Sequence, residues 1–232
     1  MNKGKRLGFV TIGQAPRDDM VLGIMQIINK LHPERRIEVT QAGALDDLST
    51  AEIEELAPLK EERVLVTKLA GGEVVQVSEA RLEPYMQHAV ERASARAELV
   101  VLLCTGSFAC LRSHVPLIHP DRLLLDFCFS ALTEGVLGVI VPDQSQIEQR
   151  GQLWRRIRSA RAAQVELKFT AASPYTADGA VEDAAAFLAD CNLLALDCMG
   201  YSAVAKQRAA AAQKSPVVLA RSVVALAVSE LI

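Results

Sequence analysis

One pattern occurs twice in this chain and restricts its fold more than any other feature. A short apolar run leads into Cys104-x-Gly106, and a second apolar run leads into Cys198-x-Gly200. Short, wholly apolar runs bounded by glycine are typical of buried parallel strands. Because α/β proteins place their chemistry just beyond the carboxyl ends of such strands, both cysteines are predicted to lie at functional positions.

The opening of the chain also has a counterpart in its second half. The strand Leu7–Ile12 runs into Gly13-Gln14, and residues 135–141 run into Pro142-Asp143-Gln144. Strands alternate with helical patterns throughout, which favours parallel sheets with right-handed crossovers. We therefore predict an α/β protein with two pseudosymmetric, doubly wound parallel-sheet lobes.

The predicted boundary gives an N-terminal lobe over residues 1–134 and a C-terminal lobe over residues 135–232. Valine-rich segments flank Gly71-Gly72, which predicts a β-hairpin inserted in the first lobe. The last helix, from Ser222, could pack back on the first lobe.

Composition and charge exclude several classes of function. The net charge of −3 provides no basic face for nucleic acid, and no apolar run reaches the ~18 residues of a membrane span. Five cysteines without a CxxC pair argue for a reduced, cytoplasmic protein without a zinc site. No dinucleotide, phosphate-loop or metal-ligand motif occurs, so no cofactor and no metal are expected. The composition leaves a homo-oligomer open.

Cys104 and Cys198 are the candidate catalytic residues, whereas Cys110, Cys128 and Cys191 are expected to be buried, inert side chains. A helix beginning in either cysteine turn would favour a thiolate and an anionic ligand. Arg17 has the geometry to clamp a carboxylate, although an exposed arginine at a helix start is an equally good interpretation. The candidate ligand-binding residues are Thr11, Gly13, Gln14, Arg17, Thr105, Gly106, Ser107, Met199, Gly200 and Tyr201.

Five segments, in order along the chain, resemble the AroM family: TIGQAPRDD, AGALDDLS, LVTKLAGGEVVQVSE, LLCTGSF and LALDCMGY. The resemblance runs through essentially the whole chain and implies no established substrate. A more distant resemblance is to the aspartate/glutamate racemase superfamily, whose two lobes carry cysteines after equivalent strands at a shared cleft.

This second resemblance implies that Cys104 is the first-lobe thiol, Cys198 is the second-lobe thiol and Thr105 binds a substrate carboxylate. The chain departs from the amino-acid racemases where Met199-Gly200 replaces a Thr-His pair. Its opening turn also lacks their acidic and serine residues. These departures argue against glutamate or aspartate itself as the substrate.

Three functions follow from the sequence and stay open at this point. The first is a cofactor-independent racemase or isomerase of a small carboxylate, with Cys104 and Cys198 as opposed acid and base thiols. The second uses a single cysteine for cis–trans isomerisation or decarboxylation. The third is a protein that binds a small anionic metabolite without catalysis.

Overall fold

The chain forms two compact units in a computed structural model that describes residues 4–176 and 179–232. One unit comprises Met1–Pro120 with Ala225–Ile232, and the other comprises Asp121–Val224. Each unit contains its own four-stranded parallel sheet. The predicted α/β class with parallel sheets in two lobes is confirmed.

The first unit is built around a sheet with strand order β2-β1-β5-β6. Its strands are β1 (Lys5–Thr11), β2 (Ile37–Gly43), β3 (Val64–Lys68), β4 (Val74–Ser78), β5 (Leu99–Leu102) and β6 (Leu117–Ile118). Its helices are α1 (Asp18–Leu31), α2 (Thr50–Glu55) and α3 (Glu79–Ser94).

The second unit repeats this arrangement in a sheet with strand order β10-β9-β7-β8. Its strands are β7 (Glu134–Val141), β8 (Gln164–Ala171), β9 (Leu193–Leu196) and β10 (Val217–Leu219). The helices from Pro120 onward are α4 (Pro120–Ala131), α5 (Ile147–Arg161), α6 (Ala180–Phe187), α7 (Ala203–Ala211) and α8 (Ala220–Leu231).

The strands of both sheets have the same spatial order relative to their order along the chain. In each, the second strand lies on one side of the first, and the third and fourth strands lie on the other side. Crossovers between parallel strands are right-handed in nearly all proteins, so connections leaving the first strand in opposite directions are expected to place helices on both faces, the doubly wound arrangement. The shared strand order explains the repetition seen in the sequence.

Local signals in the sequence set several element ends. Ser49 caps α2 in a capping box, since its side chain accepts from the Glu52 N–H and the Glu52 carboxylate accepts from the Ser49 N–H. Ser78 caps α3 through the Arg81 N–H. The stretch Arg122–Leu125, whose sequence fits either a strand or the start of a helix, lies within α4.

The insertion in the first unit is the predicted hairpin. β3 and β4 pair antiparallel from Val64 opposite Ser78 to Lys68 opposite Val74. Alternation along β3 buries Leu65 and Thr67 on one face, and Leu65 joins the apolar core beneath the sheet edge.

A buried ion pair lies at the end of β9 in the second unit. The Asp197 carboxylate accepts from Nε and Nη2 of Arg150, both at 2.9 Å, and from Nε1 of Trp154 at 2.8 Å. The Trp154 ring meets Phe129 edge-on with 5.6 Å between centroids. Because the donors satisfy both carboxylate oxygens, the charge is tolerated inside the core.

Asp121, at the start of α4, is the second carboxyl in this region and is only 4% exposed. Its Oδ1 has no hydrogen-bond partner. Burial raises the pKa of Asp121 and the negative charge of Asp197 acts in the same direction, although Arg150, Arg122 and the Arg122 N–H oppose the rise.

Replacing Arg150 with methionine is expected to lower the free energy of unfolding by about 3–5 kcal/mol, because it removes the cation that compensates the buried negative charge of Asp197. The matched control is Arg155→Met, which breaks the exposed Arg155–Glu148 pair on the same helix and is expected to cost less than about 1 kcal/mol. Urea unfolding of the two variants measures the difference. Equal losses would contradict a special role for the buried pair.

Asp121→Asn is expected to flatten the pH dependence of stability. Since the folded state raises this pKa, the folded protein holds a proton that the unfolded chain releases above about pH 3.9. The native Asp121 therefore lowers stability as pH rises through the folded-state pKa, and the asparagine variant should gain relative stability between pH 4 and pH 7. Urea midpoints at both pH values test this, with the exposed Asp183→Asn as control. An unchanged slope would contradict it.

Candidate functional site

The first cysteine lies two residues beyond the end of β5 and is partly exposed. The Gly106 N–H donates to the Cys104 Sγ at 3.1 Å. A side chain at Gly106 would come within 3.0 Å of Leu65 Cδ2 and 3.2 Å of the sulfur itself. Glycine suits this position because the hairpin and the thiol leave little space beside its backbone.

The second cysteine has the same local geometry in the other unit. Cys198 follows β9, is partly exposed, and accepts from the Gly200 N–H at 3.3 Å. A side chain at Gly200 would lie 2.9 Å from Pro174 Cγ and 3.2 Å from the Tyr175 hydroxyl. Each Cys-x-Gly motif therefore aims one backbone N–H at its own sulfur, an interaction that favours the thiolate over the thiol.

No helix begins at either cysteine, so the condition under which a helix N-terminus would favour the thiolate is not met. The chain from Cys104 to Ile118 contains no helix, and α4 begins only at Pro120. In the second unit α7 begins at Ala203, with Ser202 as its cap. The donor is therefore a turn amide, and the dipole of a helix starting at the cysteine plays no part.

The other three cysteines have different environments. Cys128 and Cys191 are buried as predicted, and burial together with the Asp197 charge raises the pKa of the Cys128 thiol. The prediction was wrong for Cys110, which is exposed because it lies in an irregular surface turn after Phe108.

Three of the predicted ligand residues belong to the turn after β1, at the same edge of the first sheet as Cys104. Thr11 is buried and its hydroxyl accepts from the Gly13 N–H at 3.2 Å. The Gln14 amide donates to the Leu45 carbonyl at 3.3 Å and accepts from the Ala70 N–H at 2.9 Å. Gln14 thus joins the opening turn to the hairpin.

Gly13 itself fits closely against the hairpin. A side chain there would lie 2.4 Å from Thr67 Oγ1 and 2.5 Å from the Lys68 carbonyl. The buried face of β3 consequently presents Thr67 to the opening turn and Leu65 to the Gly106 turn. The Gly13 turn and the Gly106 turn therefore both pack against β3.

Arg17 is only 4% exposed, which overturns the alternative of a solvent-exposed arginine. Its Nε donates to Oδ1 of Asp19 and its Nη2 donates to Oδ2, both at 2.9 Å. The bidentate clamp foreseen for a ligand is therefore made to a side chain two residues away.

Tyr201 and Met199 do not have the exposed positions that ligand binding predicted. The Tyr201 side chain is 0% exposed, and its hydroxyl lies 3.0 Å from the Val141 carbonyl and 2.5 Å from the Ala172 carbonyl. Burial raises the pKa of Tyr201 well above its ordinary value. The hydroxyl therefore stays protonated and donates to carbonyls at the ends of β7 and β8. Met199 is also fully buried. Neither side chain is therefore exposed to a ligand.

The remaining candidates flank the two sulfurs. Thr105 is buried and Ser107 is partly exposed beside Cys104. The Gly106 and Gly200 amides are the groups that bind sulfur, as described above.

Sequence reasoning missed Arg221, whose guanidinium binds the backbone of the Cys198 turn. One signal was available. Arg221 is a single charged residue in the apolar run 216–229, and arginine is rarely buried unless it has partners. Asp197 is likewise a single charged residue directly after the apolar strand Leu193–Leu196.

Two searches of the described residues gave negative results. Residues 4–176 and 179–232 contain no group of three or more histidine, cysteine or acidic side chains that could hold a metal ion. Within the same described ranges, no helix is long and apolar enough to cross a membrane.

Several solved structures share this fold. A glutamate racemase isoform from Bacillus anthracis has a TM-score of 0.63 at 13% identity, covering 99% of this chain and 82% of its own. A glutamate racemase from Aquifex pyrophilus has a TM-score of 0.60 at 13% identity, covering 98% and 84%. A Picrophilus torridus aspartate racemase has a TM-score of 0.59 at 10% identity, covering 98% and 94%.

These similarities establish that the chain has the fold of the aspartate and glutamate racemases. No curated protein sequence matches it. The model of the family described as AroM protein matches residues 7–232, which is nearly the whole chain and includes both cysteine turns. The chain belongs to the AroM protein family.

Proposed function

We propose that this protein is a cofactor-independent racemase or isomerase of a small carboxylate, with Cys104 and Cys198 as its acid and base. The observation that carries the proposal is the matched pair of turns, each with a glycine N–H directed at a cysteine sulfur. A thiolate held in this way is a base that needs no cofactor.

The chemistry is proton exchange at the carbon next to a carboxylate. One thiolate removes the proton from one face of the carbon, and the opposite thiol returns a proton to the other face. The negative charge that develops on the substrate needs hydrogen-bond donors, each contributing about 3–4 kcal/mol when well aimed. We assign that role to the hydroxyls of Thr105 and Ser107. Arg17 is assigned to the substrate carboxylate, which would replace the Asp19 carboxylate as its partner.

The solved structures with this fold support the reaction class, since those compared above are named as glutamate and aspartate racemases. The substrate proposed for this chain is different. The resemblance to the amino-acid racemases implies a polar residue at position 199, whereas Met199 is apolar and its side chain is buried. All five cysteines are free thiols, and we place the protein in the reducing cytoplasm.

A single-thiol enzyme is the second candidate, and the unequal supports of the two turns favour it. The Cys104 turn packs against the hairpin through Leu65, whereas the carbonyls of the Cys198 turn bind a buried guanidinium. An enzyme that used one cysteine for covalent isomerisation, or for protonation after decarboxylation, would need only one of the two turns to be reactive.

Exchange of α-protons with deuterium in D₂O tests the proposal. The separate enantiomers of malate, lactate, alanine and 2-phenylpropionate are incubated with the protein, and loss of the α-proton signal is followed by NMR. We expect wild-type protein to exchange both enantiomers of at least one acid.

Single cysteine variants then separate the mechanisms. Cys104→Ser and Cys198→Ser are each expected to lose exchange of one enantiomer by about 100-fold or more, and to lose racemisation altogether. The control is Cys110→Ser, which removes an exposed thiol outside both turns and should exchange normally. If one of the two cysteines proves dispensable, the single-thiol enzyme is correct. If wild-type protein exchanges none of the acids, the two-thiol proposal fails and anion binding is favoured.

A further inference from the structure

Arg221 is the second residue of α8 and lies beneath the Cys198 turn with only 4% of its surface exposed. Its Nη2 donates to the Met199 carbonyl at 2.8 Å and to the Gly200 carbonyl at 3.1 Å. Its Nε donates to the Met199 carbonyl at 3.1 Å. Two successive carbonyls of the turn are therefore bound by one planar cation.

These bonds determine which way the amide of Gly200 points. The Met199 carbonyl and the Gly200 N–H belong to one planar peptide group, in which the two point in opposite directions. Since Arg221 holds the carbonyl on one side, the N–H is directed to the other side, where the Cys198 Sγ accepts it at 3.3 Å. One rigid plane thus connects the guanidinium to the sulfur.

The cation also strengthens the donor. A positive group bound at a peptide oxygen polarises the peptide, so that its N–H becomes a stronger hydrogen-bond donor. Hydrogen bonds with an ionised partner are roughly twice as strong as neutral ones. The low exposure of Arg221 preserves this effect, because little water competes for the guanidinium.

We infer that Arg221 is a positioning residue for Cys198, which orients and polarises the 199–200 peptide so that its N–H stabilises the Cys198 thiolate. The inference rests on the proposed function, in which the Cys198 thiolate is a catalytic base. It adds to that site Arg221, which lies 23 positions after Cys198 in the sequence. Arg221 affects the Cys198 sulfur only through the 199–200 peptide, and it does not accept a proton from the substrate.

A purely structural role predicts a different behaviour. If Arg221 only tied α8 to the turn, its loss would lower the stability of the protein and loosen its structure. It would not selectively change how the reactivity of one cysteine depends on pH. The two roles are therefore separated by comparing Cys198 with Cys104, whose turn belongs to the other unit.

The experiment measures alkylation of each cysteine by iodoacetamide between pH 5.5 and pH 9.5, resolved by mass spectrometry, with Cys104 as the internal reference. We expect Arg221→Met to lower Cys198 reactivity at pH 7 by about tenfold, equivalent to one pH unit in its profile. Arg221→Lys keeps the charge but loses the planar fork, so a fall of about threefold is expected. Arg208→Met, which breaks the exposed Arg208–Glu182 pair, is the control and should leave both cysteines unchanged.

Two results would overturn the inference. One is an unchanged Cys198 profile in both Arg221 variants, and the other is an equal fall at Cys104 and Cys198, which indicates general loosening. If the methionine variant does not fold, the lysine variant decides the matter by the same comparison. The reagent requires no substrate, so this outcome is independent of whether Cys198 exchanges protons with a carboxylic acid.

Discussion

A backbone N–H directed at a cysteine sulfur is the interaction on which the account of this molecule depends. Each unit contains such a bond, between residues two apart, just beyond the carboxyl end of an inner strand. A glycine fits closely at the donor position, since an added Cβ would lie 3.0 Å from Leu65 at Gly106 and 2.9 Å from Pro174 at Gly200. The Cys-x-Gly spacing thus matches the little space beside both turns.

The two units hold this arrangement with different supports. In the first unit the inserted hairpin covers the turn, with Leu65 against Gly106 and Thr67 against Gly13. In the second unit buried charged side chains support the turn instead of a hairpin. Arg221 binds the carbonyls of the two residues after Cys198, and Arg150 pairs with Asp197, the residue before Cys198. The same strand order therefore carries two chemically different environments for the two thiols.

Most of the fold could be predicted because its signals are local. The capping box of Ser49 and Glu52, the glycine turn of the hairpin and the apolar strands all depend on residues close together in the sequence. The functional contacts of the other side chains could not be predicted in the same way. Whether Arg17 meets a ligand or Asp19, or Tyr201 meets a ligand or two strand ends, depends on packing that no short window contains. Arg221 was missed because its partners lie on another element.

The most direct test compares Cys104 and Cys198 with Cys110 in the native protein. A limiting amount of iodoacetamide is added at pH 7, and the modified fraction of each cysteine is read by mass spectrometry. If the glycine amides stabilise thiolates, both partly exposed cysteines are modified before Cys110, although Cys110 is the more exposed side chain. If Cys110 is modified first and the others follow only in order of exposure, the amides do not activate the sulfurs and the account is wrong.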